Sequence, residues 1–305
     1  MRGHAAVPHI AAAKDRRNGH LAMLTFSCLV AGSFSLGAMV ANEITPLALN
    51  GVRFVAAAIV IGVLAMVTGG IPREATRQPW RYLILGGIFA LYFVMMFFGL
   101  KTAEPVSAAA VFTLTPLLAA GFGYMIMRQI TTRRIAIALT IGAVGALWVI
   151  FRADIQAALA FHVGRGEAIY FVGVVAHALY TPLVPRFHRG ERTLVFTFFI
   201  LASASIAIFL FGWRDVLETD WANLPAIVWF TLGYITIFAT TITASLLAYA
   251  SVRLAAAKVM AYTYLVPSWV IIWEIALGHG TPPALVFGGI GLTILALYLL
   301  LKHEA

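Results

Sequence analysis

The residues that could do chemistry in this chain are few and lie inside apolar sequence. His177, Tyr180, Thr181 and Val184 are spaced i, i+3, i+4 and i+7, one face of a helix. An imidazole, a phenol and a hydroxyl on one face can hydrogen-bond an ammonium and a carboxylate. His177 lies about eleven residues into an apolar run over 167–185, near the middle of a membrane if that run crosses one. Arg53 lies about nine residues into another run, roughly 13 Å deep at 1.5 Å per residue. An ionisable group at such depth costs a few kcal/mol, which makes it a functional candidate by default. Each also has a packing reading. Polar side chains join helices to one another in membranes, and a buried guanidinium can bind carbonyls at an irregular helix or reach outward to the interface. For Arg53 the functional reading is a substrate carboxylate, and the residues alone leave it and the structural role both open. His177 is expected to act as a neutral hydrogen-bond partner with Tyr180 and Thr181.

Other stripes add smaller contributions. Tyr92 and Met96 are one turn apart, and Ser27, Ala31 and Ser35 make a small face. Tyr234, Phe238, Thr241 and Ser245 form a third stripe, and Tyr262, Val266, Trp269 and Trp273 a fourth. From these, Tyr92, Met96, Ser35, Thr241, Ser245, Tyr262 and Trp269, and with them Thr113 of the run over 105–127, join the helical face of His177 as substrate-lining candidates. Aromatic rings with small hydroxyls suit an apolar zwitterion better than phosphate, which calls for clustered basic groups. Pro116 and Pro267 fall at midspan and are expected as kinks or hinges. Pro182 and Pro185 do the same near the end of their run. Glu274, beside Trp273, reads as an interfacial carboxylate. No catalytic set is visible: one cysteine (Cys28), no midspan carboxylate and no G-x-x-x-x-G-K-S/T loop for ATP. No cofactor or metal is expected.

The elements that must hold these residues follow from composition. The 305 residues are 62% hydrophobic and 11% charged, too few charges to clothe a soluble surface of that size. Apolar runs fall near 21–41, 45–68, 82–100, 105–127, 135–151, 167–185, 194–213, 224–250, 255–278 and 284–301. Each approaches the ~20 residues that cross a bilayer. The expected fold is therefore all-α, with ten transmembrane helices and no room for a soluble domain. The segment AMVA before Asn42 imitates a signal-peptidase site, but the preceding run is long for a signal peptide, and an uncleaved span is expected.

Charge sets the orientation. With alternating spans and a cytoplasmic amino terminus, sixteen Lys and Arg side chains fall inside and four outside (Lys101, Arg152, Arg165 and Arg214), Arg53 being within a span. That is a positive-inside pattern, and it accounts for the formal +9 without a nucleic-acid partner. Both termini are expected in the cytoplasm.

A shift of 151 positions superposes Pro116 on Pro267, Leu114 on Leu265 and Ala110 on Ala261. Five runs precede and five follow the midpoint, so two copies of five spans must be inverted relative to one another, with a site where they meet. The expected layout is a tail over 1–20, a first repeat over 21–152, an external connector over 153–165 and a second repeat over 166–302.

The stretches FFGLKTAEPVSAAAVFTLTPLLAAG and AYASVRLAAAKVMAYTYLVPSWVIIW resemble the third-to-fourth span passage, and its second-half counterpart, of EamA-type proteins in the drug/metabolite transporter superfamily. ITPLALNGVRFVAAA resembles the family's second span and HALYTPLVPR its sixth, and the resemblance covers residues 21 to 302. It implies a ten-helix transporter, with closest likeness to bacterial exporters of aromatic and other amino acids. His177 departs from the pattern, standing where many relatives carry Trp. Gln129 and His279 stand where relatives often carry Glu, so a role for that Glu does not transfer.

The function expected is secondary transport by alternating access, most simply export of aromatic and other apolar amino acids across a bacterial inner membrane. The partners are a small-molecule substrate and the lipid bilayer. A monomer is compatible with the sequence, which specifies no oligomer. The alternatives are export of drugs, nucleosides or other metabolites, an intramembrane enzyme, which lacks parts, and a helical scaffold, which would need no repeat.

Overall fold

The computed structural model describes residues 6–130, 132–151, 156 and 163–301. The connector expected over 153–165 lies mostly outside them, as do residues 1–5 and Lys302. Among the described residues twelve helical pieces make ten apolar rods. The first five rods are α1 (Ala6–Val40), α2 (Pro46–Val67), α3 (Trp80–Gly99), the pair α4 (Pro105–Phe112) and α5 (Thr115–Met127), and α6 (Arg133–Ile150). The second five are α7 (Arg165–Phe187), α8 (Thr193–Glu218), α9 (Ala226–Ser251), the pair α10 (Ala256–Ala261) and α11 (Val266–Ala276), and α12 (Val286–Leu301). Among the described residues nine rods are long and apolar enough to cross a membrane, and α12 is a shorter apolar helix. Helix α1 already begins at Ala6, so most of the segment expected as a tail is helical. Helix α8 runs five residues beyond the apolar run, to Glu218.

Local chemistry sets the ends. Thr45 caps α2 by accepting from the Ala48 N–H at 3.2 Å, with Pro46 pre-set at the first helical position. Thr132 caps α6 in the same way through Ile135 N–H. The fourth and ninth rods break. Between α4 and α5 the hydroxyls of Thr113 and Thr115 take up the carbonyls of Ala110 and Phe112. Between α10 and α11 the chain tightens into a 3-10 turn over Tyr262–Leu265. Pro116 and Pro267 sit in the first turn after each break, where a missing N–H costs nothing. They open the second half-helix; they do not kink a continuous one. Pro182 and Pro185, by contrast, lie inside the continuous α7.

The repeat is visible in the element boundaries. The openings of α4 and α10 (Pro105, Ala256), the openings of α5 and α11 (Thr115, Val266), and the ends of α2 and α8 (Val67, Glu218) are each 151 positions apart. Packing obeys the same relation. The equivalent helices α2 and α8 pair, as do α6 and α12, and the contacts α3–α7 and α5–α7 are mirrored by α9–α1 and α11–α1. Gln129 after α5 accepts from Ala256 N–H at the start of α10 (3.2 Å), while the end of α11 meets the start of α4. Equivalent rods therefore run in opposite directions, and the architecture is a 5+5 inverted repeat. Small residues allow a close crossing: a Cβ on Gly145 would come within 2.6 Å of the Gly289 carbonyl, so α6 and α12 meet backbone to backbone. Outward faces carry exposed Val67, Leu210, Phe211 and Leu217, a surface suited to lipid. One end of the bundle gathers Arg73, Arg77, Arg81, Arg128, Arg186, Arg189 and Arg192, and the other Glu43, Glu104, Asp215, Glu218 and Asp220.

Candidate substrate chamber

Helix α7 brings the polar face to the centre of the bundle. His177 is 1% exposed. Its ring is 4.3 Å from Tyr92 of α3 and 5.4 Å from Phe112 at the end of α4. Tyr180, Phe89 and Phe26 lie near-parallel to it at 6.2, 6.3 and 6.5 Å. Neither imidazole nitrogen has a hydrogen-bond partner among the described residues. Leaving a buried polar group unpaired costs about 1–3 kcal/mol, a cost a substrate that bonds the ring would relieve. Tyr180 stacks on Phe89 at 5.0 Å. The hydroxyls of Tyr92 and Tyr170 are bonded to one another at 3.2 Å, while Thr181 donates back to the His177 carbonyl at 3.1 Å. Met96 is fully buried on α3.

The structure thus brings together His177, Tyr180 and Tyr92, with Thr181 on the same helix. Thr113 is spent on the helix break. Ser35 of α1 is 1% exposed, and its hydroxyl has no partner among the described residues. The remaining candidates form a second group against α1. Tyr262 bonds His20 Nδ1 at 3.0 Å, Trp269 donates to Ser27 at 3.3 Å, and Thr241 and Ser245 bond carbonyls of their own helix. Four chamber rings were not singled out in the sequence: Phe26, Phe89, Phe112 and Tyr170. Tyr170 is seven residues before His177 and shares its face, and Phe89, Tyr92 and Phe93 repeat at helical spacing. Both signals are legible in retrospect. Phe26 carries none.

Arg53 has its hydrogen-bond partners elsewhere. Its Nε donates to Thr240, its Nη2 donates to the Ala239 carbonyl at 3.0 Å and its Nη1 to Asn50 Oδ1 at 3.3 Å. Its guanidinium lies 4.0 Å from the centre of the Phe93 ring. Two of these acceptors, Ala239 and Thr240, belong to a π-helical segment over Ile237–Ile242, where widened turns spoil the regular ladder. The Thr240 and Thr241 hydroxyls serve carbonyls five residues back. Arg53 therefore stabilises an irregular stretch of α9. At the acidic end, Ser107 donates to the buried Glu167 at 2.7 Å. Beside them a cavity of about 410 Å³ is lined by Glu104, Glu274, His279 and Thr281, with His279 Nδ1 2.9 Å from Glu274 Oε2. Among the described residues no three metal-type ligands are grouped.

A ten-rod inverted repeat enclosing a polar group at its centre is the architecture of a membrane transporter. The chain belongs to the EamA-like transporter family, whose model matches it twice, over residues 17–151 and 164–302, one match to each repeat. It is 26% identical over 283 residues to a Bacillus subtilis (strain 168) protein described as "Uncharacterized transporter YyaM", covering 92% of each chain. A solved crystal structure superposes with a TM-score of 0.71 at 18% identity, over 95% of this chain and 98% of the other, which speaks for the fold alone.

Proposed function

We propose that this transporter exports small aromatic and apolar metabolites, amino acids foremost, by alternating access around His177, and that it has no enzymatic activity. The observation that carries this reading is the His177 imidazole, unpartnered at both nitrogens among the described residues and inside a cage formed by both repeats. Phe26, Phe89, Tyr92 and Phe112 come from the first repeat and Tyr180 from the second. The cage offers stacking to an aromatic side chain, the imidazole accepts from an ammonium, and the tyrosine hydroxyls donate to a carboxylate. The rings are 0–3% exposed, so on this reading a substrate reaches His177 only when one end of the bundle opens, as alternating access requires. The basic end is the cytoplasmic one by the positive-inside rule, in a bacterial inner membrane.

The test is efflux from proteoliposomes loaded with labelled phenylalanine, leucine, a nucleoside or a quaternary amine. Phenylalanine efflux is expected to be fastest. His177→Ala should raise the half-saturating concentration about tenfold, the worth of one hydrogen bond of ~1.4 kcal/mol, whereas His177→Trp should retain transport with a narrower substrate range. Equal efflux from wild type and both variants would remove His177 from the site. Selective efflux of the nucleoside or the amine would replace amino acids as the substrate class.

A further inference from the structure

Helices α2 and α8 pair along their length, and toward the basic end their seam carries a groove. Ala58 and Gly62 of α2 with Phe198, Ala202 and Ile206 of α8 line a groove of about 650 Å³ there, its floor closed where the Phe198 ring packs on Gly62. Its lining is hydrocarbon apart from the Ser205 hydroxyl, which donates to its own helix at Leu201. Val63, Met66 and Val67 on its rim are more than half exposed. From Val55 to Val67 the groove follows α2 for about 18 Å at 1.5 Å per residue. That is close to one leaflet of a hydrocarbon core roughly 30 Å thick.

The mouth at the basic end is cationic. Arg192 lies there, exposed, donating to the Thr68 carbonyl and hydroxyl at 3.0 and 2.7 Å and to the Gly70 carbonyl at 3.5 Å. The short 3-10 helix Arg73–Thr76 follows the lining residue Ile71, and its Ala75 is buried against Ala65 of α2 and Val195 of α8. It carries exposed Arg73, with Arg77 just after it and Glu74 as the one acid between them. An apolar slot one leaflet deep under three guanidinium groups matches one molecule in the surroundings of this protein. We propose that the groove binds a phospholipid of the basic-end leaflet, one acyl chain lying along the seam of α2 and α8 and an anionic headgroup held by Arg192, Arg73 and Arg77. Basic sites beside transmembrane helices select anionic headgroups. A second copy of the chain does not fit. A two-fold interface presents the same patch from both sides, and a groove facing a groove leaves the space unfilled. This inference needs only that the rods cross a bilayer, and stands apart from the substrate assigned to His177.

The test is native mass spectrometry and thermal melting of the full-length protein in detergent. Phosphatidylglycerol or phosphatidylcholine with identical chains is added, and melting in lipid-free detergent controls for folding. The wild type should retain one phosphatidylglycerol per chain and melt several degrees higher with it than with phosphatidylcholine. The double variant Arg73→Gln/Arg77→Gln should lose that preference by roughly thirtyfold, since each basic side chain at the surface contributes a factor of about five. Ala202→Phe, which fills the slot, should lose both lipids while melting unchanged without lipid. Equal retention of the two lipids by the wild type, or an undiminished preference in the double variant, would overturn the proposal. So would a dimer cross-linked through Met66→Cys in the Cys28→Ser background.

Discussion

Replacing Glu191 by Gln should open the basic end of the protein. Arg81, in the first turn of α3, donates to Glu191 Oε1 at 2.7 Å, and their side chains are 2% and 7% exposed. The same guanidinium donates to the Phe187 carbonyl that closes α7, Tyr82 donates to the same carboxylate oxygen at 3.2 Å, and Arg189 N–H donates to the other at 2.6 Å. One carboxylate thus ties α3 to the α7–α8 turn. Burial alone would raise the Glu191 carboxyl, but the Arg189 N–H and the Arg81 guanidinium outweigh it and hold it below the ordinary carboxylate range. A depressed carboxylate contributes stability that is present above its ordinary value and lost as pH falls through the lowered one, so the latch is intact throughout pH 6–8. Removing one partner of a buried pair costs about 3–5 kcal/mol, much of it from the charge left behind. Taking about 3 kcal/mol for this partly wetted pair, the equilibrium between closed and open basic ends shifts roughly a hundredfold. The assay is maleimide labelling of Val184→Cys in a Cys28→Ser background. Val184 is fully buried one turn beyond Tyr180 and becomes reachable only when that end opens. Labelling should be slow while Glu191 is present and faster by one to two orders of magnitude in the Glu191→Gln variant, at pH 6 and 8 alike. Arg81→Gln/Glu191→Gln should label as fast yet melt higher than the single variant, having no orphaned charge. Unchanged labelling in a Glu191→Gln protein that melts normally would refute the latch.

Arg53→Lys should lower the melting temperature by several degrees, because an ammonium cannot serve Thr240, Ala239 and Asn50 together. The half-saturating substrate concentration of the surviving protein should stay the same; a large rise there would return Arg53 to the substrate. Gly145→Leu should destabilise by at least about 1–3 kcal/mol through overpacking against Gly289, read as a loss of folded protein in detergent melts, whereas Gly87→Leu, with open space around its Cβ position, should be neutral.

Most of the architecture was legible because membrane rods announce themselves by length and apolarity, and the repeat by Pro116 and Pro267. What escaped the sequence is where a rod is discontinuous. Thr113 and Tyr262 read as substrate-lining residues and Thr115 and Leu265 as ordinary span residues, and only the hydrogen bonds and the 3-10 turn reveal the breaks. The start of α1 was missed because Lys14, Asp15, Arg16 and Arg17 end the apolar run without ending the helix. Around His177, helical spacing grouped it with Tyr180 and Thr181, and the structure buries all three on α7, since that grouping is local. Whether α9 and α11 faced the same space depended on packing between rods, and the structure gives Tyr262 and Trp269 to α1. Arg53 was ambiguous for a similar reason: its partners, Ala239 and Thr240, are nearly two hundred residues away and lie in a π-helical segment that no spacing foretold.

The symmetry and its violations divide the labour. Under the 151-position relation, Arg81 corresponds to Leu232 and Glu191 to Val40. Those two apolar residues are buried in one cluster, with Ile44 and Val228. One end of the molecule is thus latched by ions and the other by hydrocarbon. The second departure lies on the broken rods. Gln129 packs on Gly123 and caps α10 at the basic end, whereas at the acidic end the equivalents are Gly280 and Glu274, and a cavity stands where the amide would be. An inverted repeat with identical halves would favour neither orientation, since exchanging the halves exchanges the ends. A hydrophobic seal holds at any pH and salt, while an ion-paired latch holds only where water is kept from it. The more conditional closure therefore faces the basic end. On the proposed orientation that is the cytoplasm, where an exporter must admit its substrate.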